Sequence, residues 1–376
     1  MSTTGRTAED SPTASDVATR LQTTEFVRLV SAADADSLAA SGVLARSLSA
    51  VDVPFQVSVA RPWARADRTT EADATVSLGP VGIDADLSIP GVSASASATA
   101  FEAAREIDAD SAEPVLALAG ARGADGPTTP TLADIAGLDR RPGVAVPTAE
   151  LTDGLAHTTL THAPFSGDPE AATDALGEID SEAEDRDRRV ASLLALAVLD
   201  DEAAGERAAE TIGAALRPYE GGPFETIGGY ADVLEATVRE DPGTAVALAL
   251  GHDVTDAALS AWRRHARSAH AAVEAATTGR YDGLFVARDD GDVPVETVAR
   301  LVRDVQSPEP VVLALTDGRA AAAATREAEV DLEAIFEEAI DQLGGGTAFG
   351  TPSRAVASVE AETADVIVAV REAMQI

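Results

Sequence analysis

Short apolar runs alternate with helices of small residues in the first part of the chain. The segments "EFVRLV", "PFQVSV" and "ATVSLG" have the length and apolar content of buried strands, and apolar residues from Ala40 to Val51 recur at helical spacing. Strand, helix and strand in this order indicate parallel pairing. The pattern therefore predicts a parallel-sheet α/β domain over residues 23–165, after a polar, disordered leader at residues 1–22.

The last part of the chain repeats this alternation. "GLFVAR", "PVVLALT" and "RAVASVE" are predicted strands, and "VETVARLVRDV", "DLEAIFEEAIDQL" and "ETADVIVAVREAM" are predicted helices. We expect a second, smaller α/β domain over residues 271–376. Residues 166–270 are expected to form a helical connecting region, and the stretch "AALSAWRRHARSAHAAVEAAT" is expected to be a long helix that leads to the last domain. The predicted fold class is α/β, with two domains joined by helices.

Charge is the strongest compositional feature. The 376 residues contain 64 Asp and Glu against 28 Lys and Arg, a formal net charge of -36, and every basic side chain is arginine. Acidic residues spread along the whole chain are typical of proteins from organisms with high intracellular salt, where screening weakens self-repulsion. The absence of cysteine excludes disulfides and thiolate metal sites and fits a cytoplasmic setting. No apolar run approaches the ~20 residues of a membrane span, so no membrane partner is expected.

Two aspartates at the end of the first predicted strand are the first candidate site. In a parallel α/β sheet, functional groups gather outside the carboxyl ends of the strands. Asp34 and Asp36 lie just after "FVRLV", and alternate residues there can direct two carboxylates at one Mg²⁺ or Mn²⁺. The alternative is that Asp36 or Ser37 simply caps the following helix.

The stretch "SAADADSLAASGVLARSL" resembles the first motif of the DHH phosphoesterase superfamily, which includes RecJ single-strand exonucleases and their archaeal relatives. Asp34 and Asp36 match the two aspartates of the pattern His-x-Asp-x-Asp-Gly. Ala32 stands where the family has histidine, and Ser37 where it has glycine. The resemblance implies an N-terminal DHH-type domain and a C-terminal substrate-binding domain of the DHHA1 type.

Further segments match the superfamily in the same order. "PVLALAGARGADG" is similar to a segment whose terminal aspartate, here Asp125, joins the metal site. The C-terminal segment resembles DHHA1, with an arginine after a strand, Arg326, and a glycine-rich turn. The implied phosphate-binding residues are Arg326, Gly344, Gly345 and Gly346, although Thr347 stands where the family turn continues with histidine. A helix cap is the alternative role of this turn.

The departures from the family concern the metal site. The Asp-His-His motif should follow the third strand, but "PVGIDADLS" contains only Asp84 and Asp86. Hydrolysis by two metal ions needs cations about 3.5–4 Å apart. Three aspartates, Asp34, Asp36 and Asp125, can hold a single Mn²⁺ or Mg²⁺ or none, so no catalytic residue is assigned.

The resemblance therefore implies a degenerate RecJ-like protein without efficient nuclease activity. Its implied partners are single-stranded DNA or RNA, GINS and the replicative helicase, because some family members act as scaffolds in replication. The alternative is an active metal-dependent single-strand exonuclease or phosphoesterase. A third hypothesis is a sensor that binds a nucleotide through Arg326 and the glycine turn.

Two histidine-containing stretches are further candidates. "WRRHARSAH" is the most basic part of the chain and is a candidate for contact with a nucleic-acid backbone, although such faces are more often solvated or paired with acidic groups. His157 and His162 are five residues apart, a spacing that does not place two side chains on one face of a helix or a strand. This spacing argues against a shared metal site. The preferred interpretation is two histidines of a loop or strand.

Overall fold

The computed structural model describes residues 12–61, 71–91, 94–123, 130–177, 179–180, 183–201, 204–205 and 207–375. The chain forms two compact units. The first unit contains Met1–Asp139, Gly221–Pro223 and Tyr230–Ala261, and the second contains Arg140–Glu220, Phe224–Gly229 and Trp262–Ile376. Among the described residues, no helix has both the length and the hydropathy needed to cross a lipid bilayer.

The first unit is built on a four-stranded parallel sheet in the order β2-β1-β3-β4. Helix α2 is buried along most of its length and packs against α3 and α4, which explains why its sequence is apolar and small on all sides. The elements up to residue 139 are α1 (Ala14–Gln22), β1 (Val27–Ala32), α2 (Ala35–Ala50), β2 (Phe55–Ala60), β3 (Ala74–Leu78), β4 (Leu87–Ile89), α3 (Ala96–Ile107), α4 (Pro114–Gly123) and α5 (Pro130–Ala136).

Part of the predicted leader is helical. Thr13 and Asp16 form a capping box at the start of α1, which fixes where the helix begins. Val17 and Leu21 on this helix are buried, so its apolar stripe contributes to the core. The polar composition of the leader concealed this stripe.

Helices dominate the middle of the chain. They are α6 (Leu151–His157), α7 (Pro169–Leu176), α8 (Arg186–Leu199), α9 (Ala208–Thr211) with a following 3-10 turn, Ile212–Ala214, then α10 (Ile227–Glu240), α11 (Pro242–Ala249) and α12 (Thr255–Ala275). In the second unit, α8 buries Val190, Leu194 and Val198 in a cluster that also contains Leu155 and Phe165.

The second unit also contains a six-stranded mixed sheet in the order β5-β6-β7-β8-β10-β9. Alternate residues of β7 and β8 face two apolar clusters, one with α14 and α15 and the other with α13, so helices cover both faces. The elements are β5 (Thr277–Tyr281), β6 (Leu284–Arg288), α13 (Val295–Leu301) with a π-helical turn, Val302–Gln306, then β7 (Val311–Thr316), β8 (Arg319–Ala324), α14 (Leu332–Leu343), β9 (Gly346–Thr351), β10 (Arg354–Val359) and α15 (Thr363–Ala373). The predicted α/β class with a parallel-sheet domain and a second α/β sheet is confirmed.

A glycine near the start of α10 permits close backbone contact in the second unit. A Cβ atom on Gly229 would lie 2.2 Å from the carbonyl carbon of Val146. We expect Gly229→Ala to lower the free energy of unfolding by about 2–3 kcal/mol, because backbone cannot move aside as a flexible side chain does. Gly213→Ala is the control, since its Cβ would meet nothing within 4 Å. Equal unfolding midpoints for the two variants in denaturant titrations would contradict this expectation.

Candidate functional site

Asp34 and Asp36 lie at the carboxyl end of β1, where the sequence placed them. Asp34 is the N-cap of α2. Its Oδ1 accepts a hydrogen bond from the backbone N–H of Ser37 at 2.8 Å, and its Oδ2 accepts one from Ser37 Oγ at 3.0 Å. Asp34 thus caps α2, a role that the alternative to metal binding assigned to Asp36 or Ser37.

Asp36 caps a different helix. Its Oδ1 accepts hydrogen bonds from Ser95 Oγ at 2.6 Å, Ser97 Oγ at 2.6 Å and Ser97 N at 3.0 Å. Its Oδ2 accepts one from Ala96 N at 2.7 Å. The residue is only 4% exposed, so these four donors at the start of α3 form its surroundings. The positive end of the α3 dipole stabilises the carboxylate there.

A third carboxylate, which the sequence did not single out, reaches the same strand edge. Glu235 on α10 accepts a hydrogen bond from the first backbone N–H of α2, Ala35 N, at 2.6 Å. Its other oxygen lies 2.6 Å from a guanidinium nitrogen of Arg239. The end of β2 contributes Arg61, which donates to the carbonyls of Val238 at 3.1 Å and Arg239 at 2.8 Å. Helix N-termini and arginine thus surround these carboxylates.

This donor set does not fit a pair of metal ions. Hydrogen bonds reach both oxygens of Asp36, three at Oδ1 and one at Oδ2, so a metal ion would compete with the start of α3 for this carboxylate. Asp86 accepts a hydrogen bond from Thr75 N at 2.7 Å, and Asp84 is exposed. Within the described ranges, no group of three or more His, Asp or Glu residues is arranged to hold a metal ion. Asp125 lies outside the described residues.

The phosphate-binding residues implied by the resemblance lie at opposite ends of the second unit's sheet. Arg326 is exposed in the turn after β8. Gly344 ends α14 in the left-handed conformation, with φ 75°, which is the capping role considered for this turn. Gly346 pairs with Val359, beside the start of β8, whereas Arg326 follows its end. The six residues of β8 span about 17 Å at ~3.4 Å per residue, so this sheet does not bring Arg326 and the glycine turn to one phosphate.

Four histidines are buried in the second unit, His157, His162, His265 and His270. His157 ends α6 and lies edge-on to Trp262, with ring centroids 5.6 Å apart. His162 Nδ1 and His270 Nδ1 are 3.0 Å apart, and His270 Nε2 is 3.0 Å from the carbonyl oxygen of Thr158. The carbonyl only accepts, so His270 Nε2 donates to it and its Nδ1 accepts from His162. Burial lowers the pKa of His270 to about 3 and also lowers the pKa of His162, which keeps the pair neutral.

The basic stretch on α12 is divided between core and surface. His265 and His270 are fully buried. Arg263 makes two hydrogen bonds of 2.8 Å to the carboxylate of Asp153. Arg264 and Arg267 are exposed, so they are the members of this stretch available for contact with an anionic partner.

Known proteins resemble the chain in both sequence and fold. Residues 276–372 match a family model described as the C-terminal domain of uncharacterized protein rrnAC1427. The uncharacterized protein rrnAC1427 of Haloarcula marismortui is 52% identical over 384 residues, and the match covers 100% of both chains. The chain belongs to the rrnAC1427 family.

Solved structures extend the comparison for this rrnAC1427-family chain. CDC45 from Entamoeba histolytica superposes with a TM-score of 0.55 at 8% identity, over 94% of this chain and 96% of that chain. RecJ from Thermus thermophilus in complex with Mg²⁺ gives a TM-score of 0.45 at 14% identity. This match covers 96% of the rrnAC1427-family chain but 52% of the RecJ chain, about half its length. The likeness to CDC45 concerns the fold alone.

Some contacts of the rrnAC1427-family site were missed because they join distant parts of the chain. The serines before α3 carry a recognisable N-cap signal, and Ser95 is the N-cap of that helix. Nothing in the sequence links this helix start to Asp36, 59 residues away from Ser95. Glu235 likewise lies 200 residues from Ala35, whose amide it accepts.

Proposed function

We propose that this rrnAC1427-family protein is a non-hydrolysing member of the DHH superfamily that binds single-stranded nucleic acid and replication factors. GINS and the replicative helicase are the proposed protein partners, by resemblance to family members that act as scaffolds. The capping of α3 by Asp36 carries the proposal, because both oxygens of this carboxylate accept hydrogen bonds from the helix start that an active metal site would have to displace.

In this proposal, the carboxylates at the carboxyl end of β1 are stabilised without a pair of metal ions. Asp34 and Asp36 each lie at a helix N-terminus, and Glu235 contacts both the start of α2 and Arg239. Positive helix ends and guanidinium groups stabilise carboxylates, as divalent cations do in metalloenzymes. The proposed role of the chain is therefore to bind nucleic acid and replication factors, and the superfamily fold supplies the scaffold for this binding.

Activity is tested with end-labelled single-stranded DNA incubated with the full chain in multimolar KCl, with and without Mn²⁺. We expect no metal-dependent shortening of the DNA. Pull-down from a cell lysate at native salt should recover GINS or helicase subunits. Metal-dependent degradation that disappears in Asp34→Ala would overturn the proposal in favour of an active exonuclease.

Nucleic-acid binding is proposed to involve the exposed arginines of α12. We expect the double variant R264E/R267E to weaken binding of fluorescent single-stranded DNA several-fold, because each reversal replaces attraction to phosphate by repulsion. The double variant R105E/R141E is the matched control, since it changes the net charge equally and its two side chains are 48% and 64% exposed. Anisotropy titrations at several KCl concentrations measure both affinity and its salt slope. An equal loss in the control would show that net charge alone, rather than this face, determines binding.

A further inference from the structure

One face of α8 is apolar and exposed. The opposite face of this helix, Val190, Leu194 and Val198, is buried in the second unit's core. On the outer face, Leu196 is 59% exposed and Leu199 is 44% exposed. Side chains this large and apolar are costly to hydrate, and they lie on the surface of a strongly acidic chain. The outer face therefore has the composition of a contact surface.

The same face carries opposite charges at its two ends. At 100° per residue, Arg189, Leu193, Leu196 and Asp200 fall within about 60° of one another around the helix. Arg189 and Asp200 are both exposed, and Arg189 is held 2.9 Å from Asp185 of its own helix. The pair Arg189 and Asp200 and the pair Leu193 and Leu196 are centred on the same point of the chain, between Leu194 and Ala195. When the helix is turned end for end, Arg189 and Asp200 therefore exchange places, and the two leucines stay in the centre.

We propose that this face of α8 binds the same face of a second copy of the chain, antiparallel, about a two-fold axis. Leu193 then lies opposite Leu196 of the second copy, and Arg189 lies opposite its Asp200. A two-fold interface uses one surface twice and must be complementary to itself, which this charge order satisfies. The contact between leucines removes apolar surface from water in both copies.

The charge order favours a second copy over a different protein. The net charge of -36 favours unrelated partners with a uniformly basic surface, but this face is not uniformly acidic: Arg189 lies near one end, beside Asp185, and Asp200 lies at the other. A helix of 14 residues offers a small contact area, so the dimer is weak and depends on protein concentration. High salt screens repulsion between the two acidic bodies and leaves the apolar contact in place.

Disulfide trapping tests the antiparallel arrangement directly, because the chain contains no cysteine of its own. Arg189→Cys and Asp200→Cys proteins are oxidised separately and as a mixture, after circular dichroism shows that both are folded. We expect a covalent dimer in the mixture only. Residues 189 and 200 are eleven apart, about 16 Å along the helix, so two copies of one variant place their cysteines too far apart to bridge. No covalent dimer in the mixture, or equal amounts in each separate variant, would overturn the proposal.

Sedimentation equilibrium supplies an independent measurement without cysteine. We expect the wild-type chain to dimerise at high concentration, and Leu196→Asp to raise the dimer dissociation constant at least tenfold. Val368→Asp on α15 is the control, because this valine is 49% exposed on a different helix. A wild-type chain that stays monomeric up to hundreds of micromolar would refute self-association through α8.

Discussion

Asp36→Ala is expected to lower the free energy of unfolding by about 3–5 kcal/mol. The substitution removes the acceptor for two backbone amides and two hydroxyl groups at the buried start of α3, and each buried donor left without a partner costs about 1–3 kcal/mol. The loss of a negative charge at the positive end of the helix adds to this cost. Denaturant unfolding at fixed KCl, followed by circular dichroism, measures the effect.

Asp34→Ala is the matched control for this prediction. Asp34 caps α2 through Ser37 and is only half-buried, so its loss should cost about 1 kcal/mol. If Asp34 and Asp36 were ligands of one metal ion, replacing either one would lower the stability by a similar amount. Mn²⁺ would then stabilise the wild type more than either variant. A larger effect at Asp36 than at Asp34, unchanged by Mn²⁺, supports capping. Equal effects that depend on Mn²⁺ would support a metal site.

The buried His162–His270 pair should make the second unit unstable to mild acid. The pKa of His270 is about 3 in the folded chain, against 6.5 for an ordinary histidine, because burial opposes its charged form. Above pH 6.5 both states are neutral and the full stability is present. As the pH falls from 6.5 towards 3, the unfolded chain binds a proton that the folded chain does not. Stability should drop by about 2 kcal/mol by pH 5 and about 4 kcal/mol by pH 3.

The slope of stability against pH identifies the residue responsible. Denaturant titrations between pH 7.5 and pH 5 should show a flatter slope for His270→Gln than for the wild type. The slope remains informative even if this variant is less stable at every pH. His252→Gln should keep the wild-type slope, because His252 is exposed. If His270→Gln and wild type lose stability in parallel, other groups cause the acid sensitivity.

The sequence predicted the elements whose apolar pattern was clear. The strands at "GLFVAR", "PVVLALT" and "RAVASVE" appear as β6, β7 and β10, and their flanking helices form as expected. Strand β8 was missed because five of its six residues are alanine, which favours helix in isolation. Pairing with β7 on one side and β10 on the other overrides that preference.

The candidate site was predictable only as far as local signals extend. The sequence offered a cap at Asp36 or Ser37 for the helix after β1, and the structure places that cap at Asp34. The partners of Asp36 come from α3, which the sequence does not place against the end of β1. The strand register likewise separates Arg326 from Gly346, although the resemblance grouped them. Long-range contacts decided both outcomes.

The central claim is that the aspartates at the end of β1 are helix caps and do not coordinate a metal pair. Anomalous diffraction from crystals soaked in Mn²⁺ tests it most directly, because it locates manganese independently of the protein atoms. We expect no anomalous peak within coordination distance of Asp34 or Asp36, with the hydrogen bonds from Ser95 and Ser97 to Asp36 intact. Two ordered peaks about 3.5–4 Å apart, bridged by these carboxylates, would contradict the account.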